Sequence, residues 1–211
     1  LNGTLIGKFG TNSVVTTIGM QFAIRGVMFI YTQSRHQWAP NMYPPLNAIG
    51  TGSLGPVPLS VIVFMGVAVL GQLLFTRSVF GRHLYATGGN SNSARLSGIN
   101  TRRVQLLSFI ISGVCAAAAG IVMATRVKDA DPSTVGLGKE FEALTAVVLG
   151  GTSLFGGRGS ASGTVAGVLL LGVLANAMTL LGVSIHYQLM IKGVILTAAV
   201  AANTVIDQKS R

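Results

Sequence analysis

Five stretches of this chain stay apolar for about twenty residues each, and short polar segments separate them. They cover 11–32, 57–76, 104–125, 161–181 and 187–206. A bilayer core needs about 20 apolar residues as helix, so each is long enough to cross one. A sixth stretch, 141–149 (FEALTAVVL), is shorter and carries Glu142. As helix it would rise about 13.5 Å, less than half of a hydrocarbon core about 30 Å thick. Gly150 and Gly151 then break it, and TSLF follows before Gly156 and Gly157. The pattern predicts an all-α, polytopic transmembrane bundle with about six spans, one of them broken. The opening LNGTLIG reads as the remnant of an earlier span, and the chain as an N-terminally truncated single transmembrane domain over 1–211.

The charges lie mainly between the runs, and they set an orientation. Cytoplasmic loops gather Lys and Arg. Segment 77–103 holds Arg77, Arg82, Arg95, Arg102 and Arg103 and no acid, so it is expected inside. Segment 33–56 carries only Arg35 and is placed outside. Segment 126–140 mixes Arg126, Lys128 and Lys139 with Asp129, Asp131 and Glu140, and is also placed outside. If 141–155 crosses, Arg158 and the C-terminal tail with Lys209 and Arg211 fall inside. If it re-enters, they fall outside, against the charge rule. A broken crossing is therefore expected, the kind tolerated where it packs in protein or lines a cavity.

Composition agrees with the pattern. Half of the 211 residues are hydrophobic, 9% are charged and mean hydropathy is +0.63, whereas soluble domains carry about 25% charged residues. The net charge of +10 follows from the orienting cations, which removes the case for a nucleic-acid partner. The single Cys115 lies in an apolar run and is expected as a small packing residue. His36, His83 and His186 sit in three separate loops and form no metal set. There is no G-x-x-x-x-G-K-[ST] phosphate loop. The nearest string, GTLIGKF (3–9), is one residue short between its glycines and lacks the Ser/Thr.

The basic segment has its own chemistry. Asn90, Ser91 and Asn92 are candidate N-caps for a short helix over Ser93–Ser97. Gly98 suits a left-handed position after it, and Asn100 can cap the next span. An interfacial loop whose arginines only fix topology is the other reading.

The string GRHLYATGGNSNSARLSGI (81–99) resembles the signature loop of ribose/xylose/galactoside-type permease subunits of ABC sugar importers. Other segments of the same family are resembled by GKEFEALTAVVLGGTSLFGGRGS (138–160), LLGVSIHYQLMIKGVIL (180–196) and, at an earlier helix, TIGMQFAIRG (17–26), so that the resemblance runs in order along nearly the whole chain. The resemblance implies an inner-membrane, multi-pass, non-catalytic permease subunit with a cytoplasmic C-terminus. It implies a second permease subunit, a cytoplasmic ABC ATPase that uses ATP and Mg, and a periplasmic sugar-binding protein as partners, beside membrane lipid. No cofactor is expected on this chain itself. It also implies an ATPase-coupling element at Gly88, Gly89, Asn90, Ala94, Arg95, Leu96, Ser97, Gly98 and Ile99. Lys139 departs from the pattern, standing where an aromatic residue is expected. Nucleoside, signalling-furanose or branched-chain amino-acid cargo remains open, as does a carrier or channel that needs no ATPase.

Ionisable groups inside spans are costly and point to function. Arg25 and Lys192 are such groups, with snorkelling to the outer interface as the alternative. Glu140 and Glu142 open the short segment on the same side, so one or both are expected to pair with Arg25 or Lys192 at an outer gate. Asn176, Tyr187 and Gln188 are candidates for a sugar pathway, with interhelical hydrogen bonding the competing role for Asn176. Gly159, Gly163 and Gly167 share one helix face and are expected to pack internally against another helix.

Overall fold

The computed structural model describes residues 1–33, 35, 37–38, 44–130 and 135–209. The expectations placed on His36, Asp131 and Arg211 lie outside the described residues. Ten helices carry the described chain: α1 (Asn2–Phe9), α2 (Ser13–Thr32), α3 (Pro44–Thr51), α4 (Leu59–Arg77), α5 (Val79–Gly89), α6 (Ser91–Leu96), α7 (Thr101–Val127), α8 (Lys139–Leu149), α9 (Ala161–Leu180) and α10 (Ile185–Lys209). Strand content is slight. Strand β1 (Gln37–Trp38) pairs antiparallel with β4 (Asp129–Ala130), and β2 (Ser53–Leu54) pairs antiparallel with β3 (Val57–Pro58).

Five helices are long and apolar enough to cross a membrane: Ser13–Thr32, Leu59–Arg77, Thr101–Val127, Ala161–Leu180 and Ile185–Val205. They coincide with the five apolar runs. Neither α2 nor α4 buries a single residue. A helix apolar all round and uncovered by its own chain belongs in lipid or against other protein, because so much apolar surface is not left to water. The protein is an all-α, multi-pass membrane protein. Cys115 is exposed on α7, where it was expected to pack. Lipid asks no burial of a small apolar residue, so the apolar run around it says nothing about contacts.

The chain forms two compact units, 1–67 with 100–137, and 68–99 with 138–211. In the first, α7 packs against α1 and α3. A Cβ on Gly3 would touch Leu106 and Phe109, and one on Gly50 would overlap the buried Thr125. These glycines let short helices lie close on α7. Arg25, half-buried in α2, donates to the Val135 carbonyl at 3.4 Å.

In the second unit α8 packs against both α9 and α10. A Cβ on Gly163 would overlap the Gly150 carbonyl, and one on Gly167 the Ala146 carbonyl. Pairing 150 with 163 and 146 with 167 makes α8 and α9 antiparallel. Gly159 sits against the Thr152 side chain. All three glycines of the spaced set thus serve internal packing, but Gly159 precedes α9, so only Gly163 and Gly167 share its face. Leu181 caps α9 and Gly182 follows at φ 69°. The Val183 N–H bonds to the Met178 carbonyl at 3.0 Å and the Gly182 N–H to Thr179 at 3.1 Å. This paired closure reverses the chain into α10 within a few residues.

The short segment is a helix of 11 residues, about 16.5 Å long, ending at Leu149 with Gly150 as its cap. Gly151, Gly156 and Gly157 then take φ of 84°, 89° and 79°. No helix resumes at TSLF: residues 150–160 are turns and extended chain. Three left-handed positions within seven residues do not permit a helical turn.

Candidate functional site

Two groups of residues in the second unit bear on function. The first is built on α5 and α6. Ser78 caps α5, its Oγ accepting from the Gly81 N–H at 2.9 Å. Asn90 caps α6, its Oδ1 accepting from Asn92 and Ser93 at 3.1 and 3.0 Å. Ser97 closes α6, and Gly98 follows at φ 82°. The Gly98 N–H bonds to the Arg95 carbonyl and the Ile99 N–H to Ala94, both at 3.0 Å, which is again the paired closure of a helix C-terminus. Asn100 Oδ1 accepts from the Arg103 N–H at 3.1 Å and starts α7. Of the expected caps, Asn90, Gly98 and Asn100 serve as foreseen, but α6 starts two residues earlier than expected, so Ser91 and Asn92 lie inside it, and it ends at Leu96.

Only Ala94 of α6 is buried, and Leu96 is 90% exposed. Arg95 and a bare leucine, Leu96, thus stand on the exposed surface of this six-residue helix. What holds it in place is α5, which sequence reasoning treated as loop. Phe75 of α4 packs edge-on against Tyr85, ring centroids 6.4 Å apart. The Tyr85 hydroxyl donates to the Gly159 carbonyl at 2.7 Å. The end of α5 lies on the glycine loop, backbone to backbone: a Cβ on Gly156 would overlap the Gly88 carbonyl, and one on Gly157 would come within 2.9 Å of the Gly89 Cα. Gln72 of α4 accepts from the Ser162 N–H at 3.1 Å and helps to cap α9. Gly88 and Gly89 are poor helix formers, yet they end α5; a Cβ on Gly88 would crowd the Gly157 N at 2.9 Å, whereas one on Gly89 would meet the Gly157 Cα at an ordinary 3.8 Å. Their sequence signal was the doubled GG in both segments; Tyr85 showed itself as a phenol, a group that needs a partner, in a polar stretch.

The second group is ionic. Lys192 Nζ and Glu142 Oε1 are 2.5 Å apart, joining α10 to the first turn of α8. Lys139 Nζ lies 2.6 Å from Glu142 Oε2, one helical turn away. The residue that departs from the family's pattern therefore adds a second cation to the same carboxylate. Both Lys192 and Glu142 are partly exposed, so the pair is not sealed from its surroundings.

The other candidates are placed differently. Gln188 is buried, and its Nε2 donates to the Val183 carbonyl at 2.9 Å, with Thr179 Oγ1 at 3.5 Å. Its amide donors are spent holding the α9–α10 turn. Tyr187 is exposed beside it, and Asn176 is exposed about one turn before the C-terminal end of α9. Sequence reasoning missed Asn203 and Thr152. The Asn203 Nδ2 donates to the Thr152 carbonyl at 3.0 Å, beside a cavity of about 260 Å³ lined in part by Val148, Leu149, Ala199 and Ala202.

The chain is 36% identical over 218 residues to the ribose import permease protein RbsC of Escherichia coli (strain K12), covering 100% of this chain and 65% of that protein. It is 37% identical over 199 residues to the ribose import permease protein RbsC of Bacillus subtilis (strain 168), covering 94% and 62%. It is 36% identical over 208 residues to the D-allose transport system permease protein AlsC of E. coli (strain K12), covering 99% and 63%. The chain thus spans less than two thirds of the length of these relatives. No solved structure matches it. The branched-chain amino acid transport system / permease component family matches residues 1–200. With its apolar helices and its capped, exposed α5–α6 element, the chain belongs to that permease family.

Proposed function

We propose that this chain forms part of the membrane-spanning permease subunit of an ATP-driven monosaccharide importer in a bacterial inner membrane. The observation that carries this reading is α6: short, capped at both ends, exposed, and seated through α5 on the loop that joins α8 to α9. The element would dock on a cytoplasmic ATPase and pass its closure into α8, α9 and α10. The ATPase would bind ATP and Mg; this chain contributes motion and a pathway. A second permease subunit would complete the pathway, and a periplasmic binding protein would deliver the sugar. In this scheme 77–103 and the C-terminus are cytoplasmic, and the Lys192–Glu142 pair lies toward the periplasm. Glu140, Glu142 and Lys192 are gate candidates there, Arg25 is a separate candidate in its own unit, and exposed Asn176 and Tyr187 are available to a sugar or to the second subunit.

The names of the ribose and allose relatives favour a monosaccharide. The family description favours a second cargo, a branched-chain amino acid. Reconstituting the full-length permease with its ATPase and binding protein in liposomes separates them. Aldoses are expected to stimulate ATP hydrolysis about five-fold or more, and leucine or valine not at all, a range typical of coupled sites. Uptake driven by an ion gradient with no ATPase present would instead favour a carrier.

A further inference from the structure

Lys192 and Asn203 stand eleven positions apart on α10. Eleven residues make about three full turns, so both leave the same helix face, roughly 16 Å apart. Lys192 holds Glu142 in the first turn of α8, and Asn203 holds the Thr152 carbonyl just beyond its last turn. Glu142 to Leu149 rises about 10.5 Å as helix, and the turn at 150–152 carries the chain on to Thr152. The spacing of the two attachments on α10 thus matches the length of α8. Since both run in the same order along their chains, α8 and α10 are parallel, with the buried Ala146 and Val148 between the attachments. We propose that α10 pins α8 at both ends, ionically at Glu142 and by Asn203 at Thr152, so that the two helices move as one lever.

The second pin reaches the docking element. Thr152 packs on Gly159, whose carbonyl accepts from Tyr85 of α5. Gly88 and Gly89 lie on Gly156 and Gly157. A push on α5 therefore meets the loop that Asn203 grips. Asn203 is a positioning residue: it carries displacement of α5 into α10, and α10 carries it to the ionic pin. Its amide is committed to this role. The Nδ2 faces a carbonyl, and the buried Oδ1 has no hydrogen-bond partner among the described residues. Rigid pairing also suits a transporter, because packed elements shift between discrete arrangements and do not bend continuously.

The coupling half of this inference rests on the importer reading; the pinning half does not. Spin labels at Leu144 and Leu189, both exposed, are placed in the full-length permease with Cys115→Ser, in lipid nanodiscs. A single narrow distance distribution is expected, broadened by Asn203→Leu and by Lys192→Met. If both variants leave its width unchanged, α8 and α10 are not pinned. In the complex with ATPase and binding protein, Asn203→Leu is expected to lower sugar uptake per ATP hydrolysed about five-fold or more, with ATP hydrolysis itself kept within about two-fold. Parallel loss of uptake and hydrolysis, or no change in their ratio, would overturn the positioning role. Absence of sugar-stimulated hydrolysis in the unsubstituted complex would count against the importer reading, while the spin-label widths would still decide the pinning.

Discussion

Gly156→Ala is expected to abolish coupled transport, with uptake down about ten-fold or more. Two costs add at this position. At φ 89° an L-residue meets its following carbonyl, which costs about 1–2 kcal/mol. The new Cβ also overlaps the Gly88 carbonyl, and both partners are backbone, which cannot rotate away as a side chain does. Overpacking of this kind typically costs about 1–3 kcal/mol. The strain is relieved only if α5 lifts from the loop, which detaches the docking element from α8 and α9. Gly10→Ala is the control. Gly10 has φ 67° with nothing within 4 Å of its Cβ position. It bears the left-handed cost alone and leaves α5 seated. Thermal melting and uptake of the two variants in the full-length permease separate backbone strain from loss of seating. Equal losses in both would mean that contact with Gly88 is unimportant.

Arg95→Glu is expected to insert normally and fail to couple. Insertion survives because Arg77, Arg82, Arg102 and Arg103 still mark the segment, and orientation follows the summed Lys and Arg bias. Local folding survives because Arg95 caps nothing with its side chain: Asn90, Gly98 and Asn100 close the helix ends. The change falls on the exposed surface of α6. Like charges placed across an interface cost several kcal/mol, so affinity for an ATPase whose surface complements Arg95 should fall about 100-fold or more. Uptake at wild-type levels by Arg95→Glu would remove Arg95 from the docking surface.

The parts of this architecture visible in the sequence are those set by local chemistry. Five spans follow from five apolar runs. Asn90, Gly98 and Asn100 could be assigned because caps depend on one or two neighbouring backbone groups. The break at Gly150 was visible for the same reason, although not that the helix fails to resume, since glycine alone does not report its φ. Helix α5 was hidden. RHLYATGG has neither strong propensity nor a clean apolar period, and its seat comes from Tyr85 on Gly159 and from backbone contact with Gly156, 68 residues after Gly88. Glu142 and Lys192 were both conspicuous as charges near spans, but their pairing joins positions 50 apart. Gln188 looked available for a sugar and is spent on its own turn. Asn203 was passed over as a polar residue near a span's end, where such residues are common; only its contact with Thr152 gives it a role.

The central claim is that α6 is where an ATPase engages this permease. Site-specific cross-linking tests it most directly. Leu96 on α6 and Leu181 in the α9–α10 turn are 90% and 80% exposed and lie at opposite ends of α9, since α5 is seated on the loop before its start. A photo-reactive residue at each position, in the full-length permease purified with its ATPase, should give a covalent permease–ATPase product from position 96 and none from position 181. A product from position 181, or none from position 96 in a complex that hydrolyses ATP in response to sugar, would contradict it.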